Sequence, residues 1–444
     1  MNITRLINIL TSQLSKNLTL VSAGNTLAAG LGFLSVLIIS RTLSVSDFGL
    51  FNIALSIMLI APYLATLGMD TSMMKFTSYY LGKAQSAEAV EVIRTTLYVR
   101  LLIGCLITAI IFLTADFLSS RVFNYRDLAI LIKLSAFGVF SISVFNYFKS
   151  VLYAYRLFKQ CVVLQLLVDL AKLATVSILM LSLNLDVSSS VAVFALIPVV
   201  GILLGLWQIR NQLFSKSIPI KNLLGQFFSY SKWAFLNNVF AAGFPHIAIF
   251  MLAMISTSRT TGIYGLAHNL TYIFPILVVS LQSVLLPEVA RLKNMAQIDK
   301  YIKSSLKIAL YLTALVTPLL FFSGKIILFF FGLRYQGSVL IFNWLLLSHI
   351  FIVISIPIRS ALYSMDKPSI ISFVDLFRVT AMISGCYLLI PCLGFLVPAI
   401  LAFIINVVAL GFFILYIFRQ IHREKPAHFF NNKYVEKNRN VSEL

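Results

Sequence analysis

One stretch of this chain is written twice. Residues 149–172 read KSVLYAYRLFKQCVVLQLLVDLAK, and residues 359–378 read RSALYSMDKPSIISFVDLFR. Each opens on a basic residue followed by Ser, and each closes on V-D-L with a cation three residues after the Asp, as Asp169/Lys172 and Asp375/Arg378. Two further echoes lie upstream. NTLAAG at 25–30 returns as NVFAAG at 238–243, and GLFNIA at 49–54 returns as GIYGLA at 262–267. The offsets are 213, 213, 210 (Lys149 to Arg359) and 206 (Asp169 to Asp375), four matches in one order with a slow drift, which marks a duplication. The chain is therefore expected to fold as two homologous halves with its function between them.

What each half can fold into follows from its polarity. Of 444 residues, 59% are hydrophobic, 11% are charged and 37 are Phe, more apolar side chain than a water-facing surface can hide. The apolar residues gather in twelve runs, near 18–40, 47–69, 95–115, 128–148, 161–182, 190–210, 233–255, 262–286, 304–323, 338–357, 369–390 and 396–418. Each is long enough to cross a bilayer as a helix rising ~1.5 Å per residue. The expected fold is thus an all-α integral membrane protein of twelve transmembrane helices, six in 18–210 and six in 233–418. Because six is even, both halves enter the membrane from the same side and the repeats are parallel. Residues 3–16 put Ile3, Leu6, Ile7, Leu10 and Leu14 on one stripe, so 1–17 is expected to lie as an amphipathic helix in the interface. Residues 211–232 link the halves, and 419–444 form a polar, basic tail without apolar period.

The net charge of +20 could suggest a nucleic-acid partner, but its distribution describes a membrane topology. With the N-terminus placed in the cytoplasm, the segments on that side hold 25 Lys and Arg against 6 on the other. That excess puts both termini inside a cytoplasmic membrane. The first apolar run has no cleavage pattern of a secretory signal. Cys105, Cys161, Cys386 and Cys392 fall in apolar runs without metal-like spacing and read as helix packing.

Four cations, Arg100, Lys133, Lys172 and Arg378, remain within spans together with Asp169 and Asp375. A charge at bilayer depth costs about 2.5–3.5 kcal/mol on insertion scales, so these residues should face protein or water. The i,i+3 spacing puts both members of Asp169/Lys172 and of Asp375/Arg378 on one helix face. Such a pair is either a self-neutralising structural element or, duplicated across a shared axis, part of a cavity lining. Arg100 and Lys133 have no acidic neighbour on their own helices, leaving surplus positive charge suited to an anion, a phosphate above all. Near a helix end, Arg100 could also snorkel. Asn25 and Asn238, matched across the repeat, are candidates for hydrogen bonds between the halves. Pro62, Pro198, Pro245, Pro275 and Pro318 interrupt spans, and Gly243 beside Pro245 marks a hinge in the seventh. His246, His268 and His349 read as helix-interface residues more readily than as proton carriers. No phosphate loop, zinc-protease, serine-hydrolase or spaced Cys/His motif occurs, so no enzyme, cofactor or metal site is expected.

The RTLSVSDFGLFNIA segment at 41–54, its echo GIYGLA, LLPEVARL at 285–292 and the two-half, twelve-span layout resemble the polysaccharide repeat-unit flippases (O-antigen and capsule, Wzx-like) of the multidrug/oligosaccharidyl-lipid/polysaccharide exporter superfamily. The resemblance covers about 18–418. It implies two six-helix bundles in a V around a central cationic cavity, and alternating access that moves undecaprenyl-diphosphate-linked oligosaccharide to the periplasmic leaflet. On this reading Lys133, Lys172, Arg378 and Arg100, with Asn25 and Asn238, receive the headgroup. Asp169 and Asp375 hold the cations in place or take up a proton in antiport. A monomer working beside a glycan polymerase and chain-length proteins is the implied assembly. The drug-exporting branch often carries an acid in its first helix, which this chain lacks. Export of another lipid-linked glycan, of teichoic type, remains the runner-up, and a membrane glycan polymerase is the reading from another class.

Overall fold

A computed structural model gives the architecture. The structure describes residues 13–220, 223–271, 295–365 and 367–423, with Phe274, Val278, Leu281, Leu285 and Val289 between. The expectations for 1–12, for Pro275 and most of LLPEVARL, and for the tail at 424–444 lie outside the described residues. Within them there are fourteen α-helices and no strand. These are α1 (Gln13–Thr42), α2 (Val45–Thr66), α3 (Met69–Gly82), α4 (Ser86–Phe117), α5 (Leu128–Ala154), α6 (Phe158–Leu181) and α7 (Val187–Leu213) in the first half. The second half has α8 (Leu223–Ile255), α9 (Ser258–Leu270), α10 (Met295–Val316), α11 (Leu319–Phe331), α12 (Ser338–Ser364), α13 (Pro368–Leu393) and α14 (Val397–Arg423).

Ten of these helices are long and apolar enough to cross a membrane, and α10 with α11 makes an eleventh span bent by 41° at Thr317 and Pro318. The remaining expected span begins as α9 and continues into residues that are only partly described. Large apolar side chains such as Leu102, Leu106, Leu113 and Phe321 stand fully outward, as they must when lipid is the solvent. Between spans, the chain turns sharply after α2 through Leu67 (φ 46°) and Gly68 (φ 70°) and resumes as α3. Gly68 is required there, because a Cβ would lie 2.8 Å from both the Ser231 carbonyl oxygen and the Phe235 nitrogen of α8.

The same helix pairings recur in both halves. α1 packs on α6, α5 on α7 and α2 on α5, while α8 packs on α13, α12 on α14 and α9 on α12. The halves meet chiefly through α2, against α9 and α8. Of α2's apolar window 72% is buried, against 11% for α4, so α2 lies at the molecular centre and α4 at the lipid face. The crossing of α2 and α9 is close enough to exclude side chains. A Cβ on Gly49 would lie 1.9 Å from the Ser258 carbonyl oxygen, and one on Gly262 would lie 2.0 Å from that of Val45. Each glycine, one the repeat of the other, faces the carbonyl four residues before its counterpart, and the contact is thus two-fold symmetric in sequence. One turn further along α2 and two along α9, Asn52 and Asn269 bond side chain to side chain at 2.9 Å.

At the end of the molecule that carries few cations, two arginines are exchanged between the halves. Arg334, just after α11, donates to the carbonyls of Ser40 (2.7 Å) and Leu43 (3.0 Å) at the end of α1, and the Tyr335 hydroxyl also donates to Ser40 (3.1 Å). In return Arg41 donates to the carbonyls of Phe329 (2.8 Å) and Phe330 (2.5 Å) at the end of α11. The last carbonyls of any helix lack intrahelical partners and carry the negative end of its dipole, so each guanidinium caps the other half's helix.

Candidate functional site

The charge cluster of the second half is centred on Asp375, 1% exposed in α13. Arg359 of α12 grips it in a fork, at 3.2 Å to Oδ1 and 2.8 Å to Oδ2, and Arg378 donates to Oδ1 at 2.7 Å. One carboxylate between two guanidinium groups leaves one positive charge in excess. The Arg378 guanidinium lies 4.3 Å from the Phe244 ring centre of α8, a cation–π contact that partly replaces hydration, while its Nε makes no hydrogen bond among the described residues. Ser355, Arg359, Arg378, Asn406 and Phe413 border a small cavity with room for about one water molecule.

The first half builds the same cluster with different parts. Lys172 bonds Asp169 at 3.1 Å, and Gln165 donates to the other carboxylate oxygen at 2.5 Å. Lys149, the repeat of Arg359, donates to the Gln165 carbonyl at 2.8 Å. A lysine is a point charge on a flexible stem and is relayed through the amide; the planar fork of Arg359 reaches both carboxylate oxygens directly. Two lysines thus stand around one carboxylate, Lys172 bonded to it and Lys149 joined to it through the Gln165 amide. Phe145 and Phe194 flank the lysines at 5.1 and 5.6 Å.

Both i,i+3 pairs form as the spacing predicts. Sequence reasoning missed Lys149 and Arg359, which it assigned to loops. Their helices run to Ala154 and Ser364, past the expected ends at 148 and 357, so these cations ride on the last turns and face back over the next helix. The signal was present, since each repeated stretch opens on that cation.

Two other expectations are corrected. Arg100 is only 3% exposed, does not snorkel, and is not surplus charge: it pairs with Asp70 of α3, donates to the Ser143 carbonyl at 2.8 Å and lies over the Tyr147 ring. Lys133 likewise pairs with Asp116 of α4 at 2.9 Å, near the membrane edge, where Asp116 is 72% exposed. Both acids come from neighbouring helices, invisible to a reading along one helix. Asn25 and Asn238 are half-buried and make no side-chain hydrogen bond among the described residues; the amides that join the halves are Asn52 and Asn269.

Gly243 and Pro245 lie inside α8, a single continuous helix, and a Cβ on Gly243 would meet nothing within 4 Å. Packing therefore does not account for that glycine. Among the described residues no group of three or more His, Cys, Asp or Glu is placed to hold a metal.

A family profile described as "Polysaccharide biosynthesis protein" matches residues 14–293. Among curated proteins there is no match. An inward-facing multidrug resistance MATE family transporter of the MOP superfamily superposes with a TM-score of 0.72 at 14% identity, covering 88% of this chain and 94% of that one. The lipid II flippase MurJ in an inward closed conformation gives 0.70 at 14% identity, with 90% and 87% covered. A MOP superfamily transporter from Pyrococcus furiosus, whose binding pocket is described as having reverse polarity, gives 0.66 at 14%, with 94% and 98% covered. These solved structures share the fold, and they are transporters and a flippase rather than enzymes.

Proposed function

This chain belongs to the polysaccharide biosynthesis protein family, and from that premise we propose that it is a flippase for undecaprenyl-diphosphate-linked oligosaccharide repeat units of O-antigen, capsule or exopolysaccharide. The observation that carries the reading is the duplicated cluster of two cations around one carboxylate within membrane-spanning helices, direct at Asp375 and relayed through Gln165 at Asp169. An excess positive charge held at depth has little use in a drug exporter for cations and much use for a diphosphate.

In this reading Lys172 and Arg378, one in each half, are the principal phosphate contacts, and their carboxylates Asp169 and Asp375 keep them extended and charged while no substrate is bound. Arg100 and Lys133, each neutralised by an acid of a neighbouring helix, take no direct part in this reading, and Asn25 and Asn238 bind sugar hydroxyls. The prenyl chain stays in lipid, so no bond is made or broken. Access alternates as α8 flexes at Gly243 and Pro245 and the arginine caps at α1 and α11 part. The protein works as an ion-coupled antiporter in the cytoplasmic membrane with both termini inside, a monomer beside the polymerase and chain-length proteins that use its product.

Cells that lack this protein are expected to accumulate the radiolabelled lipid-linked oligosaccharide with its sugar shielded from an impermeant lectin added to spheroplasts, and a plasmid copy should restore exposure. Normal exposure in the deleted strain would rule the reading out.

A further inference from the structure

α10 and α4 are repeat counterparts whose outward faces differ. Tyr311 follows Tyr98, and Phe330 follows Phe117, by the offset of 213 that relates the upstream echoes. Both tyrosines face outward, 77% and 69% exposed. The 19 residues from Tyr311 to Phe330 rise about 28 Å along a helix, close to the thickness of a hydrocarbon core. Phe330 lies at the cation-poor end, where Arg41 caps α11. Tyr311 therefore marks the boundary of acyl chains and headgroups on the opposite, cation-rich side, a level that tyrosines favour.

From Tyr311 toward the water, Lys307, Lys303 and Lys300 follow at four, eight and eleven residues, all exposed and all on the stripe that Tyr311 begins. The opposite stripe of Ile298, Tyr301, Ser305, Ala309 and Thr313 is buried. At about 1.5 Å per residue, Lys307 stands about 6 Å outside the tyrosine, within the headgroup layer, and the other two rise one and two turns above it. Lys303 bonds Asp299 at 2.6 Å, while Lys300 and Lys307 have no acidic partner among the described residues. The first half does not repeat this stripe. Ala87, Val90 and Arg94 stand where the three lysines stand, and Arg94 turns inward to the carbonyls of Leu213 (2.7 Å) and Ser215 (2.6 Å) and the hydroxyl of Ser217 (3.1 Å).

We propose that the outward face of α10 at Lys300, Lys303 and Lys307 binds the phosphate of an anionic phospholipid, with Tyr311 beneath it at the acyl boundary. Cations that only orient a chain in the membrane can sit on any loop. Three of them on one lipid-facing stripe above an apolar column fit a molecule that is anionic at one end and apolar at the other. Ile308, Leu310 and Leu315, all exposed, receive the acyl chain, a column that a soluble phosphate would leave unused. α10 packs on α12 and α14 of its own half, and the lysine stripe lies opposite its buried one, so the site is reached from the bilayer. The occupant is accordingly a lipid of the surrounding leaflet, and the site does not depend on the flippase reading.

Lipid-contact quenching reads this site. In a Trp207→Phe/Trp233→Phe/Trp344→Phe background, which removes all three tryptophans, Tyr311→Trp places a single indole on the stripe. The full chain is reconstituted in phosphatidylcholine vesicles containing either phosphatidylglycerol or phosphatidylcholine with brominated acyl chains. At about fivefold for each of the two unpaired lysines, brominated phosphatidylglycerol should bind about 25-fold more tightly than brominated phosphatidylcholine. Raised salt should shrink the preference, and Lys300→Gln/Lys307→Gln should abolish it. Tyr98→Trp in the same background should show none. Equal quenching by the two lipids beside position 311, an equal preference beside position 98, or a preference that survives the lysine substitutions would each overturn the proposal. Displacement of phosphatidylglycerol by a smaller mole fraction of undecaprenyl diphosphate would overturn it too, by giving the stripe to the transported class of lipid. If the tryptophan-free background does not fold, native mass spectrometry of protein in mild detergent replaces the assay: Lys300→Gln/Lys307→Gln should retain less phosphatidylglycerol than wild type, and equal retention would refute the site.

Discussion

Asp375→Asn should destabilise the purified protein by about 3–5 kcal/mol, the usual consequence of removing one partner from a buried ion cluster. Asn keeps the shape and removes the charge, so Arg359 and Arg378 are left facing each other across a 1% exposed site. Arg378→Gln should cost less, because Arg359 still covers both carboxylate oxygens. Asp169→Asn should also cost less, about 1.5–3 kcal/mol, since Lys172 is less buried and its flexible stem can turn toward water. Denaturation midpoints in detergent micelles measure these differences. The neutral triple variant Asp375→Asn/Arg359→Gln/Arg378→Gln should recover most of the lost stability while export stays abolished, separating a transport role from a folding role. A midpoint unchanged by Asp375→Asn would mean that the arginines are not confined around it.

Gly49→Ala and Gly262→Ala should each cost about 1–3 kcal/mol or more, because the new methyl would stand 1.9 or 2.0 Å from a backbone carbonyl oxygen that cannot rotate aside. The crossing of α2 and α9 must open by more than an ångström, pulling on the Asn52–Asn269 bond one turn away along α2 and two along α9. The two effects should not add: separation forced by the first methyl makes room for the second, so the double variant should resemble a single one. Gly411→Ala, where a Cβ meets nothing within 4 Å, supplies the control and should be neutral or slightly stabilising. Additive losses would show that the two glycines do not share one contact.

Much of this was legible in one dimension because the membrane simplifies the reading. Apolar runs long enough to span lipid can only be helices, and the repeat supplied the equivalences. Asp169/Lys172 and Asp375/Arg378 were legible because i,i+3 spacing is local. Asp70 with Arg100, and Asp116 with Lys133, were not, because those contacts depend on which helices are neighbours. Lys149 and Arg359 were misplaced by a few residues at helix ends, where hydropathy fades before the hydrogen-bonded helix stops. The exchange of Arg41 and Arg334 was hidden for another reason: it recognises backbone carbonyls, which leave no mark in the sequence. Histidines 246 and 268 were noticed singly, and only the packing of α8 on α9 brings their rings to 5.1 Å.

Movement of a lipid-linked glycan across a bilayer by this chain alone is the most direct check. Purified protein would be reconstituted into phosphatidylethanolamine/phosphatidylglycerol vesicles that carry undecaprenyl-diphosphate oligosaccharide in both leaflets, and an impermeant glycosidase added outside. Without protein only the outer-leaflet share is cut. With it, the whole pool should become cleavable, while the neutral triple variant at 359, 375 and 378 behaves like empty vesicles. Cleavage confined to the outer leaflet in the presence of folded wild-type protein would contradict the account.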